Sequence, residues 1–189
     1  KSRYDRFHPG QSLKERKRCL QDLEAVGYQT GAGFIVGLPG QTLEDIADNL
    51  LFLKKEDLDM VGLGPLIPHP NTPLASAATG SVELTLIGYA LTRLLLPETL
   101  IPATTALNTL DDRGWEKGLQ AGANVIMPNL SPAASRKQYE IYQNKGDTDV
   151  SRLEEISKRV QQVGFKIDSS RGDSLKWLKR KNQGGFTNE

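Results

Sequence analysis

Cysteine is all but missing from this sequence: Cys19 stands alone among 189 residues. A single cysteine excludes an internal disulfide and an all-cysteine metal site. Histidine is nearly as scarce, and His8 and His69 lie too far apart for metal-ligand spacing. No charge of one sign dominates. The formal net charge is +1, so no overall pull toward nucleic acid or a membrane surface is implied. Long apolar runs are absent too. The stretch 90–96 is interrupted by Arg93 and falls far short of the roughly 18 residues of a membrane span. The opening residues, Lys1-Ser-Arg-Tyr-Asp-Arg-Phe-His, lack the apolar core of a secretory signal. A cytoplasmic location is the expectation. The charged start without methionine also leads us to expect further residues upstream.

What is present is an ordinary globular composition, 38% apolar and 25% charged, with enough chain for one domain core. Helical and extended patterns alternate along it. Ser12, with Glu15 three residues on, opens a helix whose face carries Leu13, Leu20, Leu23 and Val26, and Gly27 closes it. Strand 31–37 follows, then Thr42 as N-cap of helix 43–55 with Leu43, Ile46, Leu50 and Leu53 inward. Strand 60–67, a rigid proline loop at 68–73, helix 83–96, strand 100–106, helix 111–121 and strand 124–128 complete four units. Helix 150–163 and a short fifth strand at 165–168 come next, then a basic tail, 169–189, expected to fray. Alternation of this kind predicts a parallel sheet covered by helices with right-handed crossovers. Four units make the C-terminal half of an eight-stranded α/β barrel of TIM type, residues 1–168. A compact doubly wound domain is the alternative.

A parallel barrel places its reactive groups at the C-terminal strand ends. Here those ends read Gly37-Leu-Pro-Gly-Gln-Thr, Pro65-Leu-Ile-Pro-His-Pro, Ala103-Thr-Thr-Ala-Leu-Asn and Met127-Pro-Asn-Leu-Ser-Pro. They hold no nucleophile–histidine–acid set and no paired carboxylates. A lining of hydroxyls, amides, prolines and thioether binds and orients a ligand but moves few protons. If the chain is catalytic, a cofactor carries the hard chemistry, and no catalytic residue can be named. Gly31, Gly33 and Gly37 mimic a loose phosphate fingerprint, yet they lie within a strand, where close packing is the better reading.

The run Thr30-Gly-Ala-Gly-Phe-Ile-Val-Gly-Leu-Pro-Gly-Gln-Thr resembles the fifth strand and loop of radical S-adenosylmethionine (SAM) enzymes related to biotin synthase. Asp59-Met-Val-Gly-Leu-Gly-Pro-Leu-Ile-Pro-His-Pro-Asn-Thr-Pro-Leu, Ile101-Pro-Ala-Thr-Thr-Ala and Gly122-Ala-Asn-Val-Ile-Met-Pro-Asn together are similar to the HydE-type [FeFe]-hydrogenase maturases. The resemblance spans most of residues 1–145. It implies a radical SAM enzyme of hydrogenase cofactor assembly, with S-adenosylmethionine and a [4Fe-4S] cluster as cofactors. It also implies a small-molecule or organometallic substrate, with other hydrogenase maturases as further candidate partners. Methylornithine synthase or biotin synthase-like enzymes, or a non-catalytic half-barrel binding fragment, are the alternatives. The family's Cys-x3-Cys-x2-Cys cluster motif has no match here, since Cys19 lies on a helix of the wrong half, so no metal ligand is assigned. By motif, Arg16 corresponds to a SAM-carboxylate partner, a role suited to its bidentate fork. Met60 and Ile67 correspond to residues flanking the adenosyl group. Thr104, Thr105, Met127, Tyr139 and Tyr142 correspond to residues lining the substrate cavity.

On this reading the chain by itself carries no electron source and is expected to be inactive. Half a barrel also leaves parallel sheet edges open to pairing. Expressed alone, the chain is therefore expected to aggregate, dimerise or need the missing half, and a stable monomer in sedimentation would contradict that expectation.

Overall fold

The computed structural model describes residues 3–128 and 153–183. Tyr139 and Tyr142 lie outside them. A short helix α1, Arg3–Phe7, precedes α2, Leu13–Ala25, where the Ser12 hydroxyl accepts the Glu15 N–H at 3.1 Å. Only Leu20 of the expected apolar face is buried; Leu13, Leu23 and Val26 stay exposed. Strand β1, Gly31–Val36, crosses through α3, Leu43–Glu56, to strand β2, Met60–Pro65. Thr42 and Asp45 form a reciprocal capping box at the start of α3, which satisfies two backbone donors. Ile46, Leu50 and Leu53 face inward as expected, but Leu43, in the first turn, is 67% exposed.

β1 and β2 pair in parallel, from Gly31 opposite Met60 to Val36 opposite Pro65. After α4, Val82–Leu95, the chain returns beside β2, and Leu100 bridges to Met60. The expected strands at 100–106 and 124–128 are reduced to such bridges, the second between Pro102 and Val125. Sequence chemistry explains the shortening. Pro102 has no N–H to give to the ladder. Two residues on, the Thr104 N–H is taken at 3.1 Å by the Tyr89 hydroxyl from α4. That hydroxyl in turn donates to the Leu63 carbonyl at 3.0 Å, so a side chain stands where a ladder bond would run. Thr104 then caps α5, Thr105–Leu110. The single helix expected over 111–121 is split, with α6, Gly114–Gln120, starting after a turn in which Asp111 accepts the Arg113 N–H at 2.9 Å.

Most of the large apolar burial among the described residues lies on the helix side of this arc. Val61, Leu63, Ile101 and Ala103 alternate outward and meet Leu53, Tyr89, Leu107, Trp115 and Leu119. Each fully buried aliphatic side chain contributes about 1.5–3 kcal/mol. Helix α7, Leu153–Gln162, closes the cluster with Ile156 and Val160. Its Arg159 donates to both Glu116 oxygens at 2.7 Å and to the Asp112 carbonyl at 2.6 Å. Burial opposes charge on Glu116, but the Arg159 bonds prevail and hold its carboxyl below the ordinary range. The segment 165–168, expected as a fifth strand, joins no ladder, and Phe165 and Ile167 are exposed. An apolar–polar alternation this short, with no adjacent edge to pair with, does not make a strand.

The basic tail does not fray through 182. Helix α8, Leu175–Asn182, docks under the N-terminal ends of the strands. Asp59, 1% exposed, accepts from the Thr30 N–H at 3.0 Å, the Ser174 hydroxyl at 2.9 Å and the Arg180 guanidinium at 2.6 Å. The Trp177 indole N–H reaches the Gly27 carbonyl at 2.8 Å, and Lys176 binds the Leu58 carbonyl at 2.6 Å. Removing one partner of a buried pair strands the other charge. Arg180→Met is therefore expected to lower stability by about 3 kcal/mol in urea denaturation; a change below about 0.5 kcal/mol would place α8 outside the cooperative fold.

Candidate functional site

The other face of the arc is nearly bare. Strand side chains alternate, so the residues opposite the core are Gly31, Gly33 and Ile35 on β1, and Met60, Gly62 and Gly64 on β2. Leu100, Pro102 and Thr104 continue the concave face, followed by Val125 and Met127. The pairing register arranges them in levels. Gly31, Met60 and Leu100 form the lowest, at the N-terminal strand ends. Gly33, Gly62, Pro102 and Val125 form the middle. Continuing the same register sets Ile35, Gly64, Thr104 and Met127 on top, at the C-terminal ends where parallel barrels hold their reactants.

The glycines differ in what they do. A Cβ on Gly33 would sit 1.6 Å from the Gly62 carbonyl oxygen, so the two strands approach as closely as they do only because that atom is missing. A Cβ on Gly62 would meet nothing within 4 Å among the described residues; its missing side chain leaves open space there. A Cβ on Gly64 would lie 2.8 Å from the Thr104 Oγ1. The Thr104 hydroxyl thus lies over the glycine floor, on the concave side.

Thr104, Thr105 and Met127 gather at the upper level, the threonines half-buried and Met127 51% exposed. Ile67 follows just beyond β2 and is half-buried. Met60 is separated from this group, four residues and about 13 Å down β2 from Gly64. Arg16 is exposed on α2, and among the described residues no hydrogen bond or ion pair ties it to the concave face. Among the described residues no cluster of His, Cys, Asp or Glu could hold a metal ion, and Cys19 is exposed on α2. No helix among the described residues is long and apolar enough to cross a membrane.

Tyr89 was not legible as a site residue. It is wholly buried, bonded to Leu63 and Thr104, and its hydroxyl lies 3.3 Å from the Thr104 Oγ1. Burial pushes its phenol above the ordinary pKa, which keeps the proton in place. The one available signal was a tyrosine inside a leucine-rich helix, whose hydroxyl must find a partner when buried. Gly88 lets it reach: a Cβ there would lie 2.6 Å from Leu63 Cδ1.

No family profile matches the chain. It is 48% identical over 164 residues to the [FeFe] hydrogenase maturase subunit HydE of Thermotoga maritima, covering 85% of this chain and 47% of that protein. It is 30% identical over 165 residues to the 3-methylornithine synthase of Methanosarcina acetivorans, covering 86% of this chain and 45% of that protein. Biotin synthase of Acidothermus cellulolyticus matches over 115 residues at 35% identity, covering 60% of this chain and 34% of that protein. The chain belongs to the radical SAM superfamily. The crystal structure of methylornithine synthase (PylB) superposes with a TM-score of 0.65 at 24% identity, covering 88% of this chain and 48% of the other. The fold is therefore part of a radical SAM TIM barrel, with the bare glycine face inside. The chain spans less than half the length of each of these relatives.

In this radical SAM arc the two central glycines predict opposite outcomes. Gly33→Ala is expected to prevent folding, because backbone must move to admit the Cβ. Gly62→Ala should keep the wild-type melting temperature to within a few degrees and only fill the cavity floor. Equal melting temperatures for the two variants would refute the assignment of faces.

Proposed function

We propose that this chain forms the substrate-facing wall of a HydE-type maturase, a radical SAM enzyme of [FeFe]-hydrogenase assembly. The observation that supports this most is the 48% identity to HydE, joined to a concave face that is open at the top and almost free of acids and bases. The 30% match to methylornithine synthase and the 35% match to biotin synthase keep an enzyme like one of these as the weaker reading. We also propose a cytoplasmic setting, a small or organometallic substrate, and contact with other maturases.

The chain's residues do not fit the [4Fe-4S] cluster, since a cysteine triad is needed and only Cys19 is present. They do fit the organic cofactor. The open floor at Gly62 leaves room for a flat adenosyl group. Arg16 offers a planar bidentate donor for the SAM carboxylate, and Ile67 offers an apolar contact to the adenosyl side, while Met60, at the opposite end of β2, stays a motif match alone. When bound, SAM supplies the 5′-deoxyadenosyl radical. This chain's own part is positioning: Thr104 and Thr105 orient the substrate and Met127 lines its cavity, and Tyr139 and Tyr142, outside the described residues, match the same lining by motif alone. Cys19, the one thiol of the sequence, is exposed on α2, and chemistry carried by a cofactor leaves the protein to bind and orient. In the domain division we propose, residues 1–168 form the C-terminal half of the barrel and 169–189 a basic C-terminal tail, whose helix α8 is docked on it.

Two substitutions in the intact, reconstituted protein test these roles. Arg16→Ala is expected to weaken SAM binding about tenfold or more, the worth of a charge-assisted hydrogen bond; unchanged affinity removes the carboxylate assignment. Thr105→Val is expected to weaken substrate binding while SAM cleavage continues. Equal loss of both would make Thr105 structural.

A further inference from the structure

Thr104 and Thr105 are adjacent and half-buried where the third parallel segment runs into α5, but their hydroxyl protons are not equally free. Leu63 is buried, and its carbonyl can only accept. It takes the Tyr89 hydroxyl proton at 3.0 Å. Turning that proton toward Thr104 would strip a buried carbonyl of its donor, at a cost of about 1–3 kcal/mol. With its proton committed to Leu63, the Tyr89 oxygen has two lone pairs left. One accepts the Thr104 N–H at 3.1 Å. The other faces the Thr104 Oγ1 at 3.3 Å, and only the threonine can now supply a proton between them. The Thr104 Oγ1 also receives the Leu107 N–H at 3.4 Å as cap of α5. A hydroxyl has one proton and two lone pairs. Thr104 therefore has no proton left for the cavity, only a lone pair. Thr105 differs: its carbonyl accepts the Thr109 hydroxyl, but its own Oγ1 makes no hydrogen bond among the described residues. Thr105 remains able to donate.

We infer that Tyr89 is a positioning residue that fixes Thr104 as an acceptor beside the donor Thr105, so that the pair selects a ligand end carrying an N–H donor next to an acceptor, such as an α-amino acid head group, over a simple carboxylate. This deepens the reading of the threonine pair as a substrate contact and rests on it. Two free hydroxyls would clasp a carboxylate with two donors. One donor and one acceptor match an ammonium and a carboxylate on neighbouring atoms, and they leave a lone carboxylate facing the Thr104 lone pair. The selectivity is set from outside the cavity, by a side chain on α4 that no ligand touches.

The test measures binding of a matched pair of probes, L-alanine and propionate, to the intact protein by calorimetry without SAM. The two share a carbon skeleton and differ by the ammonium group. Wild type is expected to prefer L-alanine by about tenfold, the worth of one charge-assisted hydrogen bond. Tyr89→Phe frees the Thr104 proton, and the preference is expected to fall to within about twofold. Thr104→Ser should retain the preference and Thr104→Val should lose it, which keeps the test intact if Tyr89→Phe does not fold. A wild type that binds both probes equally, or prefers propionate, overturns the inference. So does a preference that survives both Tyr89→Phe and Thr104→Val. Failure of either probe to bind, with Thr105→Val no different, overturns the threonine-pair reading as well. The maturase assignment is checked separately by 5′-deoxyadenosine formation, which these probe measurements do not involve.

Discussion

One constraint governs this chain: the fully buried apolar side chains of its two strands and of the segment after α4 are packed on the helix side. Val61, Leu63, Ile101 and Ala103 turn to the helices, while Gly33, Gly62 and Gly64 keep the middle of the other face low between Met60 and Leu100 below and Ile35 and Met127 above. A parallel sheet in a doubly wound domain is covered on both faces and reads as continuously apolar. Here the alternation of β2, Met-Val-Gly-Leu-Gly-Pro, gives a core face and an empty one. The sheet must therefore curve around something other than its own side chains. The cavity follows from the same residues that hold the fold, because the hydrophobic effect acts on only one face and the glycines take up no space on the other.

The two ends of the arc are treated differently. At the lower end the buried charge is paired: Asp59 gathers Thr30, Ser174 and Arg180, and α8 is tied across. At the upper end the groups are neutral and partly uncommitted, with Thr105, Ile67 and Met127 open to a ligand. Conservation of stability at one end and of chemistry at the other is how parallel barrels divide their work. Tyr89 connects these demands, since its ring belongs to the core and its hydroxyl sets the geometry at the rim.

Much of the fold was legible beforehand. The positions of β1, β2, α3 and α4, their caps at Thr42 and their parallel order followed from periodicity and capping residues whose signals are local. The losses came where partners decide. Strands at 100–106 and 124–128 shrank to bridges because Pro102 and Tyr89 intervene in the ladder. The strand expected at 165–168 found no edge. The tail at 175–182 had only a basic composition to show, and that hid Ser174, Trp177 and Arg180, whose partners lie more than a hundred residues away in sequence. Tyr139 and Tyr142 stand where they were, as motif matches alone.

The sequence by itself determined the alternating order of elements, the poverty in acids, bases and metal ligands, and the kinship carried by its strand-end motifs. Those are properties of residue type and short spacing, which need no knowledge of what touches what. Only the tertiary structure decided that Gly33 is filled by a neighbour's backbone while Gly62 faces open space, or that two adjacent threonines present opposite hydrogen-bonding characters. Both distinctions depend on a single atom approaching from another strand or helix, and no local pattern records which atom will arrive.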